Sequence, residues 1–123
     1  MNEQLAGKRI LVVEDEYFIA SDLKGALQKE GAVVIGPVGY LDQGLALLEG
    51  GAIDAAVLDV NLEGAHSYAI ADRLRDLSVP YLFLTGYDAL PETYRSAPRI
   101  AKPFNMRAVT DCMTRLLQAE SVA

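Results

Sequence analysis

ILVVED, at residues 10–15, decides how this chain folds: it is a short apolar run that ends in two acidic side chains. Such a run, bounded by polar residues, is typical of a buried strand in a parallel sheet. Three further apolar runs also end on a polar residue, namely Asp59, Thr85 and Lys102. Functional groups in a parallel sheet gather in the crevice beyond the carboxyl ends of the strands. We therefore expect these polar side chains to converge on one pocket.

The rest of the chain alternates between apolar runs and helical patterns. Apolar residues three or four apart predict helices after residue 15, over 41–48, over 68–77 and from Asn105 onward. Gly31 and the Gly50-Gly51 pair supply helix stops. Five alternations of strand and helix predict an α/β domain, in which right-handed crossovers put helices on both faces of a parallel sheet.

The interval 86–98 breaks this alternation, because it holds Pro91 and Pro98 and few apolar residues. Pro91 can only begin a helix, and Pro98 cannot continue one. We expect about one irregular turn here in place of a full helix.

Length, charge and cysteine count narrow the class of protein. The 123 residues suit one domain, with a core over about residues 8–118 and no output domain in this chain. The net charge of −6 argues against nucleic-acid binding. No apolar run is long enough to span a bilayer, and Cys112 stands alone, as a small buried side chain. These features predict a soluble cytoplasmic protein, and we expect a monomer.

Three carboxylates in the predicted crevice call for a cation. Two unit charges about 5 Å apart repel by about 3 kcal/mol at an effective dielectric constant near 20. Glu14, Asp15 and Asp59 would therefore repel or take up protons unless a cation joined them. Oxygen ligands without histidine or cysteine favour Mg²⁺, which keeps positions free for a substrate phosphate.

Lys102 and Thr85 extend this interpretation toward phosphoryl transfer. Taken singly, the lysine is more simply an ion-pair partner and the threonine a strand-end residue that bonds to backbone. Together, a cation, an ammonium group and a hydroxyl around one carboxylate suit a phosphoryl group. The carboxylate of Asp59 would then be the nucleophile and would form an aspartyl phosphate.

The chain resembles a response-regulator receiver domain of two-component signalling over about residues 9–117. The resemblance rests on four motifs in the family's order: VEDE at 13–16, LDVNL at 58–62, LTG at 84–86 and KPF at 102–104. It implies a flavodoxin-like doubly wound sheet of five parallel strands in the order 2-1-3-4-5. It also implies a phosphoprotein that catalyses only its own phosphorylation and dephosphorylation, and so is not an enzyme in the usual sense.

The resemblance assigns roles at matching positions. Asp59 would be the phosphoacceptor. Glu14 and Asp15 would hold Mg²⁺ together with Asp59, Asp15 directly, and Asn61 would add its backbone carbonyl. Thr85 and Lys102 would contact the phosphoryl oxygens. The phosphoryl donor would be a sensor histidine kinase or a phosphotransfer protein, and the signal would pass to a downstream protein by direct contact or along a phosphorelay.

Two departures from the usual receiver pattern concern the switch. Arg99 stands three residues before Lys102, where most receivers have the aromatic residue that couples to the threonine. Gly86 and Tyr87 resemble the FATGUY subgroup, whose members are often stand-alone domains paired with kinases of the HWE or a related class. We expect ordering of the 86–98 loop, with Gly86 moving and Tyr87 docking, to replace the aromatic switch; a partly exposed Tyr87 is equally compatible.

Other classes fit less well. A Mg²⁺-dependent phosphatase of the haloacid-dehalogenase type needs a proton donor two residues after its nucleophile, but Asn61 stands there. A flavodoxin needs a hydroxyl- and glycine-rich phosphate loop where this chain has Glu14-Asp15-Glu16. A phosphorylation-independent pseudo-receiver remains an alternative because of Arg99 and the short fourth helix.

His66 is expected to be a solvated loop side chain.

Overall fold

A computed structural model describes residues 2–62, 64–86 and 90–122, except for the side chains of 120–122. The described strands are β1 (Arg9–Val13), β2 (Val33–Val38), β3 (Ala55–Asp59), β4 (Asn61–Leu62), β5 (Ala65–His66), β6 (Tyr81–Thr85) and β7 (Arg99–Ala101). The described α-helices are α1 (Tyr17–Lys29), α2 (Leu41–Glu49), α3 (Tyr68–Asp76) and α4 (Met106–Val122).

The main sheet is parallel and has five described strands in the order β2-β1-β3-β6-β7. Counted within this sheet alone, the order is 2-1-3-4-5, so the predicted flavodoxin-like fold is confirmed. The two-stranded hairpin β4–β5 lies outside it and follows β3 directly.

The central strands bury both faces of the sheet. Along β1, Ile10 and Val12 belong to a core cluster with the apolar faces of α1 and α4, whereas Leu11 and Val13 belong to a cluster with α2 and α3. Each fully buried side chain of this size contributes about 1.5 to 3 kcal/mol through burial. The strand ends are consequently held in place from both sides.

In the described part of the interval after β6, residues 90–98, a 3-10 turn at Glu92–Tyr94 stands where the usual alternation would place a helix. The prediction of a short, irregular element between β6 and β7, in place of the fourth helix of the family, is therefore confirmed. Tyr87 lies outside the described residues, and so does the predicted docking of its ring.

Strand β2 continues to Val38, three residues beyond the apolar run Val33-Val34-Ile35. Pro37 is compatible with a strand here because β2 is an edge strand and pairs with β1 alone. The continuation matters for the site, because the carbonyl of Val38 accepts a hydrogen bond from the amide of Glu14 at 2.9 Å.

The segment before β1 packs against the α1/α4 face. Leu5 is 0% exposed and belongs to the same core cluster as Leu27 and Met113. The side chain of Asn2 donates to the hydroxyl of Thr114 at 2.8 Å. Among the described residues, no helix is both long and apolar enough to cross a membrane.

Replacing Leu5 with alanine should lower the free energy of unfolding by about 3 kcal/mol, because the change leaves a cavity in a closed core. Urea unfolding at constant pH measures this loss. The exposed neighbour Glu3 serves as the control, and Glu3→Ala should change stability by less than about 0.5 kcal/mol. Equal effects of the two substitutions would contradict the packing described here.

Candidate functional site

The carboxyl ends of the sheet strands bring the predicted polar residues to one edge. Glu14 follows β1, Asp59 ends β3, Thr85 ends β6 and Lys102 follows β7. The register aligns them, since Asp59 lies opposite Leu84 and Thr85 opposite Ala101. The parallel pairing alone therefore puts these side chains within reach of one another.

Lys102 lies between two carboxylates. Its Nζ is 3.1 Å from Asp59 Oδ2 and 3.1 Å from Glu14 Oε1. Its backbone amide donates to the carbonyl of Thr85 at 2.7 Å, which fixes the start of the side chain. Burial opposes the charged ammonium, but the adjacent carboxylates of Asp59 and Glu14 outweigh it and raise the pKa of Lys102. The lysine is thus a retained positive charge.

Glu14 is the most buried of the three carboxylates, with 3% of its surface exposed. Its Oε2 accepts a hydrogen bond from the backbone amide of Glu16 at 3.2 Å. Its Oε1 is buried beside Lys102, yet no well-aligned hydrogen bond reaches it from the part of the chain that the structure describes. Burial first, and the adjacent Asp59 second, raise the pKa of Glu14 to about 8. This under-satisfied oxygen is suited to a further cationic partner.

Asp59 is buried, and each of its oxygens has a donor. Oδ1 accepts from the amide of Asn61 at 3.3 Å, and Oδ2 from Lys102. Asp15 is exposed at the mouth of the cleft. Gly39 lies so close to Asp15 that a Cβ added to Gly39 would be 3.2 Å from the Cα of Asp15.

The three carboxylates can share one metal ion. One oxygen from each of Glu14, Asp15 and Asp59 lies within 4.8 Å of the others. An all-oxygen set, in which the buried Oε1 of Glu14 has an ion pair with Lys102 but no well-aligned hydrogen bond from the described residues, fits Mg²⁺, which binds through one or two carboxylates and keeps several waters. The donor set therefore fits the cation expected from the sequence.

The remaining predicted residues are placed differently. Thr85 is buried next to the Asp59 strand, and Gly86 is exposed beside Lys102 at a surface cleft of about 480 Å³. Arg99 is exposed at the start of β7, and its guanidinium donates to the backbone carbonyl of Arg95. Arg99 thus makes a contact outside the acidic cleft.

Aromatic side chains around the cleft were not singled out from the sequence. Tyr17 is 75% exposed, Phe18 73% and Tyr40 52%, although each is large and apolar. The rings of Tyr17 and Phe18 meet edge to face at 5.4 Å. The available sequence signal was the position of Tyr17 and Phe18 directly after the acidic run 14–16. His66 is exposed as expected, but its ring also stacks on Tyr68 with centroids 5.2 Å apart.

Fold and site together define a signalling domain of the two-component type. Residues 10–113 match the response regulator receiver domain family, and the chain belongs to this family. The family is one of signal receivers and not of classical enzymes.

Curated relatives include the transcriptional regulatory protein TcrA of Mycobacterium tuberculosis. It is 36% identical over 110 residues, which cover 84% of this chain and 43% of TcrA. The chain spans about half the length of the curated relatives it matches.

Solved structures of receivers superpose closely. SdrG from Sphingomonas melonis Fr1 is 37% identical, with a TM-score of 0.80 and coverage of 94% of this chain and 98% of SdrG. A BeF3-activated form of SdrG is 36% identical, with a TM-score of 0.75 and coverage of 91% and 98%. PhyR from Brucella abortus is 26% identical, with a TM-score of 0.81 and coverage of 96% of this chain and 51% of PhyR.

The raised pKa of Glu14 predicts how stability depends on pH without metal. The folded state holds a proton on Glu14 up to about pH 8, while the unfolded chain releases it near 4.5. The free energy of unfolding should therefore fall as pH rises through this window. Glu14→Gln removes this contribution and should flatten the slope.

Urea unfolding in chelator-treated buffer at pH 5.5 and 8 measures the effect. Glu3→Gln, at an exposed carboxylate, is the matched control and should keep the wild-type slope. A slope that Glu14→Gln leaves unchanged would contradict the assignment of the raised pKa to Glu14.

Proposed function

We propose that this chain is a phosphorylatable switch, in which Asp59 accepts a phosphoryl group from a kinase phosphohistidine. The observation that carries the proposal is the Lys102 ammonium 3.1 Å from both Asp59 and Glu14 in a cleft of three carboxylates. An ammonium and a metal site around one buried carboxylate are the groups that stabilise a transferring phosphoryl group.

The residues divide the work of the transfer. An oxygen of Asp59 attacks the phosphorus, the phosphorus–nitrogen bond of the phosphohistidine breaks, and the imidazole leaves with that electron pair. Lys102 then turns from the carboxylates to the new phosphoryl oxygens, and the hydroxyl of Thr85 donates to one of them. Glu14, Asp15, Asp59 and the carbonyl of Asn61 would hold Mg²⁺, which would supply positive charge to the phosphoryl group.

The family and the departures in the sequence support a proposal for the pathway. Histidine kinases, or phosphotransfer proteins charged by them, are the donors that receivers use, and the FATGUY-like residues point to a kinase of the HWE or a related class. The structure of SdrG in its BeF3-activated conformation supports the proposal that this chain also has an activated state. We propose that residues 1–123 act as one cytoplasmic monomeric receiver and signal through a downstream protein, without binding nucleic acid.

Acyl phosphate provides the direct test of Asp59. Wild type incubated with acetyl phosphate and Mg²⁺ should gain one phosphoryl group by intact mass, and Asp59→Asn should gain none. Lys102→Ala should lower the yield at least about tenfold, since a lost charge-assisted contact costs about 1.5 to 3 kcal/mol.

Removal of Mg²⁺ with chelator should abolish the adduct. An adduct on Asp59→Asn would contradict the assignment. Should wild type accept phosphate neither from acetyl phosphate nor from any kinase, a phosphorylation-independent binding module would be the better account.

The donor protein must also cover the exposed aromatic rim, defined here as Tyr17, Phe18 and Tyr40. Tyr17 and Phe18 begin α1 two and three residues after Asp15, and Tyr40 follows Gly39, which touches Asp15. A phosphohistidine that reaches Asp59 enters past this rim. Apolar rings that stay exposed beside a reactive cleft are suited to become buried against the donor.

Phe18→Ala should therefore slow phosphoryl transfer from a cognate kinase about tenfold, through lost burial at the interface. It should leave phosphorylation by acetyl phosphate unchanged, because that small donor needs no docking surface. Leu77→Ala removes an exposed apolar side chain at the distal end of α3 and serves as the control. Equal slowing with both donors would contradict a docking role.

A further inference from the structure

Three aromatic rings form a continuous stack beside the site. His66 at the end of β5 stacks on Tyr68 at the start of α3, with centroids 5.2 Å apart and planes at 29°. Tyr68 in turn stacks on Tyr94, with centroids 4.7 Å apart and planes at 9°. Phe83 of β6 meets both Tyr68 and Tyr94 edge to face, at 6.1 and 5.9 Å. Aromatic pairs in these two geometries are mutually attractive beyond their burial.

One end of the stack is connected to the phosphoacceptor. The amide of Asn61 donates to Asp59 Oδ1, and Asn61 pairs with His66 across the β4–β5 hairpin. Each hairpin strand has only two residues, and Asn61 lies directly opposite His66. The ring of His66 is exposed and makes its aromatic contact with Tyr68.

The other end of the stack holds the segment 90–98. Tyr94 is buried, and its hydroxyl donates to Asp72 of α3 at 2.5 Å. Burial, with the Asp72 hydrogen bond next, raises the pKa of Tyr94 to about 12, so the phenol stays protonated as the donor. Short turns support the backbone here, with hydrogen bonds from the amide of Tyr94 to the carbonyl of Pro91 and from the amide of Ala97 to the carbonyl of Tyr94. At the end of the segment, the carbonyl of Pro98 accepts from the amide of Phe83 in β6. Such a segment opens locally more easily than a helix or a strand.

We propose that the stack of His66, Tyr68 and Tyr94 couples the state of Asp59 to the packing of the segment 90–98. Arg99 occupies the position from which an aromatic residue would otherwise couple, and it is exposed and bonded to the carbonyl of Arg95. A phosphoryl group on Asp59 draws the Asn61 amide to a new, more negative acceptor, and the hairpin carries this movement to His66. The offset between the rings of His66 and Tyr68 then changes, and this change alters how closely Tyr68 stacks on Tyr94. The inference rests on the proposed phosphorylation of Asp59.

Amide hydrogen exchange by NMR on the full chain, with Mg²⁺ and with or without beryllofluoride, tests this coupling. In wild type, beryllofluoride should change exchange at Asn61 and, by about fivefold, at amides of residues 90–98. In His66→Ala the Asn61 response should remain while the response of 90–98 falls to less than half. Leu77→Ala, at the C-cap of the helix that Tyr68 begins, should respond as wild type.

Two tyrosine variants separate the ring from the hydroxyl. Tyr94→Phe keeps the stack and should keep the response of 90–98, whereas Tyr94→Leu should lose it. A full response of residues 90–98 in His66→Ala would overturn the coupling through the stack. Loss of that response in Tyr94→Phe would assign the coupling to the hydrogen bond with Asp72, and this result would also overturn the proposal.

The Asn61 amide distinguishes the two proposals. A wild-type response at Asn61 without one at 90–98 would overturn the coupling and leave the proposed function intact. No response at Asn61 in wild type would overturn the proposed function, and the coupling with it.

Discussion

Repulsion between carboxylates in one cleft is the constraint on which the rest of the site depends. Glu14, Asp15 and Asp59 present oxygens within 4.8 Å of one another, and Lys102 supplies one positive charge among them. If all three carboxylates are ionised, one ammonium leaves a net charge of −2. Without metal the cleft relieves this charge by protonating Glu14, whose pKa is about 8. A divalent cation offers the same relief without a proton, which explains why the donor set suits Mg²⁺.

A repulsive cluster of this kind persists only on a rigid support. Strands β1 and β3 lie at the centre of the sheet, and their apolar residues are buried between the α1/α4 face and the α2/α3 face. Parallel register then brings their last residues to one edge. The core thus provides the preorganisation that phosphoryl transfer requires, since the charged groups need not rearrange at the moment of reaction.

Several features follow from local sequence signals. Apolar runs that end in Glu14-Asp15, Asp59, Thr85 and Lys102 predict both the strands and their convergence. Pro91 and Pro98 predict, for a steric reason, that the described residues 90–98 form a short turn in place of a full helix. The strand order came from the family resemblance, because many topologies satisfy the same alternation.

Other features have no local signal. The hairpin at 61–66 pairs Asn61 with His66 and Leu62 with Ala65, and strands of two residues are too short to show a period. Leu5 is one apolar residue in a polar segment, so its burial depends on where α1 and α4 leave space. The stack joins rings at 66, 68 and 94, and contacts across that separation are set by tertiary packing. The sequence around Tyr94 is that of an ordinary loop, and it does not indicate that this ring is buried.

The measurement that tests the central claim most directly is a crystal structure of the chain with Mg²⁺ and beryllofluoride. The account predicts beryllium bonded to an oxygen of Asp59, Mg²⁺ on Asp15 and Asp59, and Lys102 Nζ turned from Glu14 to a fluorine. A structure in which Asp59 keeps its ion pair with Lys102, while metal and beryllofluoride lie elsewhere or are absent at saturating concentration, would contradict it.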